Sequence, residues 1–230
     1  MTVTITSPTT SPRAMVLVSG DDIHHDLLSA APYLTRLAAD AGFVARAAIG
    51  MQRFLDPHPL TAAQDVFCVY KAGGEFSAAQ QAALADRVRS GAGLVAIHSS
   101  NVLGTTADGG LDESFRPFFD LLGNRYLSHG PGHHEGHQKV AVVTRHPITD
   151  GVSDFELFDE FYEFEFSDDD HEVLAERTRD DGVVIPVLYA RHYGAGRVVY
   201  LASGHDLRAW GEPPFIRLVQ QSLQWAAGLR

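Results

Sequence analysis

Residues 77–98, SAAQQAALADRVRSGAGLVAIH, decide the fold. Ser77 is followed three residues later by Gln80, the pattern of a capping box, so a helix begins here and runs to about Ser90. Gly91-Ala92-Gly93 stops it. Leu94, Val95, Ala96 and Ile97 then form an apolar run without polar alternation, the pattern of a strand buried on both faces, and it ends at His98. The same grammar recurs upstream. Residues 14–19 (AMVLVS), 43–49 and 65–70 (DVFCVY) read as further strands. Between the first two, Leu27, Leu28, Ala31, Leu34, Leu37, Ala38 and Ala41 make one helical stripe stopped by Gly42. The alternation predicts an α/β fold, a mostly parallel sheet with helices on both faces.

The second half reads differently. Residues 111–122 are expected to be helical, with Phe115, Phe118, Phe119 and Leu122 on one face. A Gly/His loop follows at 128–137 (SHGPGHHEGH), then a strand at 139–144. Residues 155–166 (FELFDEFYEFEF) alternate aromatic and acidic side chains, as one strand with a wet face does. Segments 183–193 and 197–203, joined by Gly194-Ala195-Gly196, predict an antiparallel C-terminal extension. Pro213-Pro214 opens a final helix to about Ala227. No repeat of 20–50 residues is present.

The 230 residues suit one domain at 14–230, behind a disordered tail at 1–13 rich in Thr, Ser and Pro. With 18 basic and 29 acidic residues the net charge is −11, which argues against a nucleic-acid or anionic-membrane binder. No apolar run approaches the roughly 20 residues of a membrane span, so a cytoplasmic protein is expected. The single Cys68 excludes an internal disulfide and a Cys-rich zinc module, and mid-strand it reads as a buried, inert thiol. Gly73-Gly74 lacks the Lys-Ser/Thr of a phosphate loop, and Gly194-Ala195-Gly196 lies between strands, so no nucleotide cofactor is expected.

Twelve histidines stand out in this acidic chain. His25, His98 and His205 each follow a predicted strand, and in open α/β sheets ligands bind beyond the carboxyl ends of the strands. His98 occupies the position at which a nucleophile elbow lifts a reactive side chain above the sheet. Imidazole there serves as base or metal ligand; the bland alternative is a histidine capping a carbonyl. In Asp159-Glu160-Phe161-Tyr162, strand geometry puts Glu160 and Tyr162 on one face, a carboxylate and a phenol placed for acid/base work or for sugar hydroxyls. The crowded His129, His133, His134, Glu135 and His137 invite a metal but read equally as a solvated loop.

Several motifs share an order and spacing that resembles the trehalose-utilisation, ThuA-like family. They are Gly93 to His98 (GLVAIH), His146 to Gly151 (HPITDG), Asp159 to Tyr162 (DEFY), Pro186-Val187-Leu188, Tyr193 to Tyr200 (YGAGRVVY), Gly204-His205-Asp206, Trp210, Pro214-Phe215 and Trp225 to Gly228. The resemblance covers nearly the whole chain. It implies a flavodoxin-like fold of the class I glutamine amidotransferase type, with His98 standing where that class carries its cysteine, so glutamine hydrolysis is not implied. It also implies a role in catabolism of trehalose and related glycosides, including 3-keto-glycosides. Ser128-His129-Gly130 departs from the His-Pro common in the family.

The expectation is therefore an enzyme that hydrolyses, eliminates or isomerises a sugar or 3-keto-glycoside. His98, Glu160, Tyr162 and His205 would be catalytic, and Asp22, Ser99, Asp206 and Trp210 would contact substrate. A divalent metal, zinc first, would sit on His25, His98, His129 and His205. The partner would be a small sugar or glycoside, with no nucleic acid and no membrane; self-association through the aromatic strand is left open. The competing reading is a non-catalytic sugar-binding or regulatory module on the same scaffold.

Overall fold

The computed structural model describes residues 11–54 and 59–230. The first half alternates as β1 (Arg13–Gly20), α1 (Leu27–Asp40), β2 (Val44–Ile49), α2 (Pro59–Ala62), β3 (Val66–Ala72), α3 (Ala78–Arg89) and β4 (Gly93–Ile97). The second half continues through α4 (Arg116–Leu122), β5 (Asn124–Ser128), β6 (Glu135–Val142), β7 (Phe155–Glu160) and β8 (Glu163–Phe166). It closes with β9 (Glu172–Thr178), β10 (Val184–Tyr193), β11 (Gly196–Leu201), α5 (Leu207–Trp210) and α6 (Pro213–Ala226).

Nine strands form one sheet in the order β2-β1-β3-β4-β11-β10-β9-β6-β7. Neighbours from β2 to β11 run parallel, and those from β11 to β7 antiparallel. With β11 as its fifth member, the parallel part has the flavodoxin-like order. Its strands read as unbroken apolar runs because helices cover both faces: Val16, Leu17, Val69, Leu94 and Ile97 are fully buried. Ser77 caps α3 with both arms of the capping box formed. Cys68 is buried as expected, and desolvation pushes its thiol pKa up to about 12, so it stays protonated.

Several details differ from the sequence reading. Leu28 lies on the solvent side of α1, 81% exposed, while Leu34, Leu37 and Ala38 carry the buried stripe. The helix expected over 111–122 is α-helical only from Arg116, after a 3-10 turn. The Gly/His loop is shorter than expected, because Glu135, Gly136 and His137 already pair with β7. The strand expected over 155–166 is two strands in different sheets, since β8 pairs with β5 instead. Strands β5 and β9 had no clear pattern in the sequence. Residues 1–10 of the expected tail, and His58, lie outside the described residues; Arg13 is in β1, its N–H donating to Asp65 at 2.7 Å. The HPITDG segment is a structural turn: buried Gln221 of α6 donates to the Ile148 carbonyl at 2.6 Å.

Gly93 allows close packing of α6 against the sheet. A Cβ at this position would lie 2.5 Å from the carbonyl oxygen of Ala226 in α6. Gly93→Ala must push helix from sheet, and overpacking of this kind costs about 1–3 kcal/mol. The expected outcome is a melting temperature lower by several degrees, measured by calorimetry, with unchanged far-UV dichroism.

Candidate functional site

The site is built at the carboxyl ends of β1, β4 and β11, with the end of β7 folded over them. His98 follows β4 in a left-handed conformation, φ 49°, the one positive φ at a non-glycine among the described residues. Such a conformation costs of order 1–3 kcal/mol and persists where surrounding contacts over-determine it. Here Tyr200 donates its hydroxyl to the His98 carbonyl at 3.0 Å, and Ser100 Oγ accepts the Lys71 N–H at 3.1 Å. The strained turn aims the imidazole above the sheet, as a nucleophile elbow aims its nucleophile.

His98 Nδ1 lies 2.7 Å from the Ala202 carbonyl oxygen. A carbonyl only accepts, so Nδ1 carries the proton and Nε2 presents its lone pair to the site. Nε2 lies 3.2 Å from Glu160 Oε2 and 3.3 Å from His205 Nδ1. His205 Nδ1 is in turn 3.3 Å from the same Glu160 oxygen. His25 completes the group, its ring centroid 4.7 Å from that of His205 and 5.3 Å from that of His98. Neither of its ring nitrogens is in hydrogen-bond geometry, although Nδ1 lies 3.3 Å from Asp22 Oδ2. One ligand atom from each of His25, His98, Glu160 and His205 lies within 4.8 Å of the others.

Electrostatics follow from this crowding. Burial, with His98 and His205 nearby, depresses the His25 pKa to about 4, so the ring is neutral at physiological pH. Burial alone would raise Glu160, but the hydrogen bond from His205 and the charge of that ring hold it well below the usual carboxylate range. Burial lowers His205, and its bond to Glu160 together with the charges of Glu160 and Asp159 more than offsets this, leaving it raised. Tyr162 stacks on His98 at 4.1 Å, and burial beside Glu160 keeps its phenol protonated.

Asp159, which the sequence reading did not place in the site, holds it together. Its buried carboxylate accepts from Gly204 N at 2.6 Å, His205 N at 3.1 Å and Glu160 N at 2.8 Å. Burial pushes its pKa up. Tyr126 was also missed; its hydroxyl meets His129 Nδ1 at 2.8 Å. The sequence signals for Asp159 were its place in the DEFY motif and its adjacency to Glu160.

The structure brings together His25, His98, Glu160, Tyr162 and His205. Glu160 takes the place expected for His129 in the four-membered group. His129 stands just outside, its Nε2 3.4 Å from Glu160 Oε2 and not in hydrogen-bond geometry. His134 stacks on His129 at 4.7 Å and His137 packs edge-on against Phe158, so the crowded histidines form no second metal-ligating group among the described residues. The four residues expected to contact substrate, Asp22, Ser99, Asp206 and Trp210, all have partners within the protein or are buried. Asp22 lies beside His25 and accepts from His24 N. Ser99 is buried within the turn. Asp206 caps α5 and binds Arg208. Trp210 is a core anchor, 1% exposed, donating to the Gly204 carbonyl at 2.7 Å.

Solved structures with this architecture include a protein described as ThuA-like from Parabacteroides merdae, 16% identical over 94% of this chain and 90% of that one, TM-score 0.74. A ThuA-like protein from Bacteroides uniformis is 16% identical over 96% of this chain and 94% of that one, also at TM-score 0.74. A β-galactosidase from Rahnella superposes at TM-score 0.61 and 15% identity, covering 95% of this chain but 32% of the larger enzyme. At these identities the likeness is one of fold. No curated protein matches the sequence. Among the described residues, no helix is long and apolar enough to cross a membrane. The family profile described as trehalose utilisation, ThuA, matches residues 13–226, almost the full length, and the chain belongs to that family.

Proposed function

We propose that this protein is an enzyme acting on a sugar or 3-keto-glycoside by metal-assisted acid/base chemistry, with a divalent metal, zinc first, held by His25, His98, Glu160 and His205. The observation that carries this reading is the 3.2–3.3 Å triangle of His98 Nε2, His205 Nδ1 and Glu160 Oε2. His98 Nε2 and the carboxylate are both acceptors, and at most one proton lies between them and His205. Three electron-pair donors facing one point are satisfied by a cation. Tetrahedral zinc with bonds of about 2.0–2.1 Å separates its ligand atoms by about 3.3 Å. The His98–Ala202 bond is the outer contact that fixes a ligating tautomer. The family's carbohydrate setting, and the glycosidase likeness of the fold, favour a sugar as the substrate.

The bound metal would act as a Lewis acid on a substrate oxygen. The chain's residues divide the remaining work. Glu160, His98 and His205 hold their lone pairs inward. Tyr162, kept protonated by burial, is the hydroxyl-binding or proton-donating group. His129, bonded at Nδ1 to Tyr126 and with Nε2 turned to Glu160, is the next imidazole beside the centre.

Elemental analysis of the purified chain should find about one equivalent of metal, lost in His98→Ala and in Glu160→Gln. Turnover of a 3-keto-glycoside should fall by about 100-fold or more in both, with near-native melting of the metal-free proteins. Full activity in both variants, or no metal uptake by the native chain, would overturn the reading. Asp159→Asn should weaken metal binding about 10–100-fold without touching a ligand, because His205 loses its anchor; equilibrium dialysis measures this. Metal uptake should also be proton-linked. His205, with its raised pKa, must give up its proton to ligate, so affinity rises with pH above the ordinary histidine range. Calorimetry in buffers of different ionisation enthalpy reads the released proton.

A further inference from the structure

Beside this centre lies a buried cation without a counter-ion. Arg177, on β9, is 5% exposed, and its Nε and Nη2 are buried without a hydrogen-bond partner. No carboxylate among the described residues lies within ion-pair distance of it. Its guanidinium stacks on Phe161, with the central carbon 4.9 Å from the ring centroid. The nearby carboxylates are committed elsewhere, Glu163 and Asp181 both being bound by Arg179. A guanidinium cannot shed its proton to escape burial, so an unpaired one destabilises the fold. Such a group is explained where a ligand completes it.

Arg177 lines an open cleft of about 550 Å³ together with His129, His133, His137, Gln138 and Phe161. The cleft backs onto the candidate centre. His129 reaches Glu160, Gln138 Nε2 donates to the Glu160 carbonyl at 3.4 Å, and Phe161 follows Glu160 in the chain. The two unpartnered nitrogens, Nε and Nη2, form one edge of the guanidinium, the edge that matches both oxygens of a carboxylate; both are closed to solvent by the packing around them, so pairing requires the side chain to shift toward the cleft. Asp180 also lines the cleft and is exposed.

We propose that the Arg177 cleft is a subsite for an organic carboxylate, so that the substrate of the neighbouring centre is an acidic sugar whose ring lies toward Glu160 and whose carboxylate pairs with Arg177. The substrate assignment rests on the reading that the centre handles a sugar; the carboxylate subsite itself does not.

The test is binding to the full-length protein, freed of metal by chelation, with glucuronate, glucose and acetate as probes. Native protein should bind glucuronate at least about tenfold more tightly than glucose, the scale expected when a charge-assisted pair is added to otherwise shared contacts. Arg177→Gln should erase that advantage and leave glucose binding unchanged, and acetate should compete with glucuronate only in the native protein. Arg177→Met, which removes the unpaired charge, should melt no lower than the native chain. Equal affinity for the two sugars, or an advantage that survives in Arg177→Gln, overturns the proposal. A clear fall in the melting temperature of Arg177→Met does so as well, since it marks Arg177 as a structural anchor for Phe161. If neither sugar binds but acetate does so in an Arg177-dependent way, the carboxylate subsite stands and the sugar reading of the centre fails.

Discussion

The carboxylate of Asp159 is buried, and three backbone N–H groups converge on it. A buried carboxylate is costly unless its lone pairs are satisfied, and charge-assisted bonds to amides are among the stronger ways to do that. Two of these amides belong to the loop after β11 and the third to Glu160 at the end of β7. One side chain thus fastens the edge of the antiparallel extension to the end of the parallel sheet. Without that fastening Glu160 would belong to a distant edge strand, and His98 and His205 would face each other with no carboxylate between them.

The parallel sheet supplies the rest of the geometry. Its strands deliver His25, His98 and His205 to one end because parallel neighbours all point their carboxyl termini the same way. The left-handed turn at His98 then sets that ring at a fixed angle, and the Ala202 carbonyl fixes its tautomer. Strain at one residue is tolerated because Tyr200 donates to the His98 carbonyl and Ser100 Oγ donates to the Ile97 carbonyl just before it. The outcome is a small, half-enclosed group of donors with opposed pKa shifts, His25 pushed down and His205 pushed up, as functional sites tend to have.

The histidines separate into three kinds once their positions are known. His25, His98 and His205 converge. His129 stands beside them, engaged with Tyr126 and near Glu160. Others pack on aromatic rings: His146 and His192 lie against Trp225, and His171 stacks on Phe166 at 3.6 Å. Density in sequence was therefore a poor guide, since of the histidines in the 128–137 run only His129 comes within 4 Å of Glu160 among the described residues. Position at a strand end was a good guide, since backbone direction and not local crowding decides which side chains meet.

The sequence by itself determined the parallel half of the fold. Its strands are buried on both faces and so must be apolar throughout, and the Ser77–Gln80 capping box and the glycine stops mark the helix boundaries. It also determined that His25, His98 and His205 share one end of the sheet. Only the tertiary structure decided the rest. The break at Phe161-Tyr162 is invisible in an alternating run, because β7 and β8 keep the same pattern while pairing in different sheets. Tertiary contacts also made Glu160 the partner of three histidines, turned Trp210 and Ser99 inward, and left Arg177 buried without a counter-ion. Each of these depends on contacts between residues far apart in the chain, and local periodicity carries no record of which distant surface a side chain will meet.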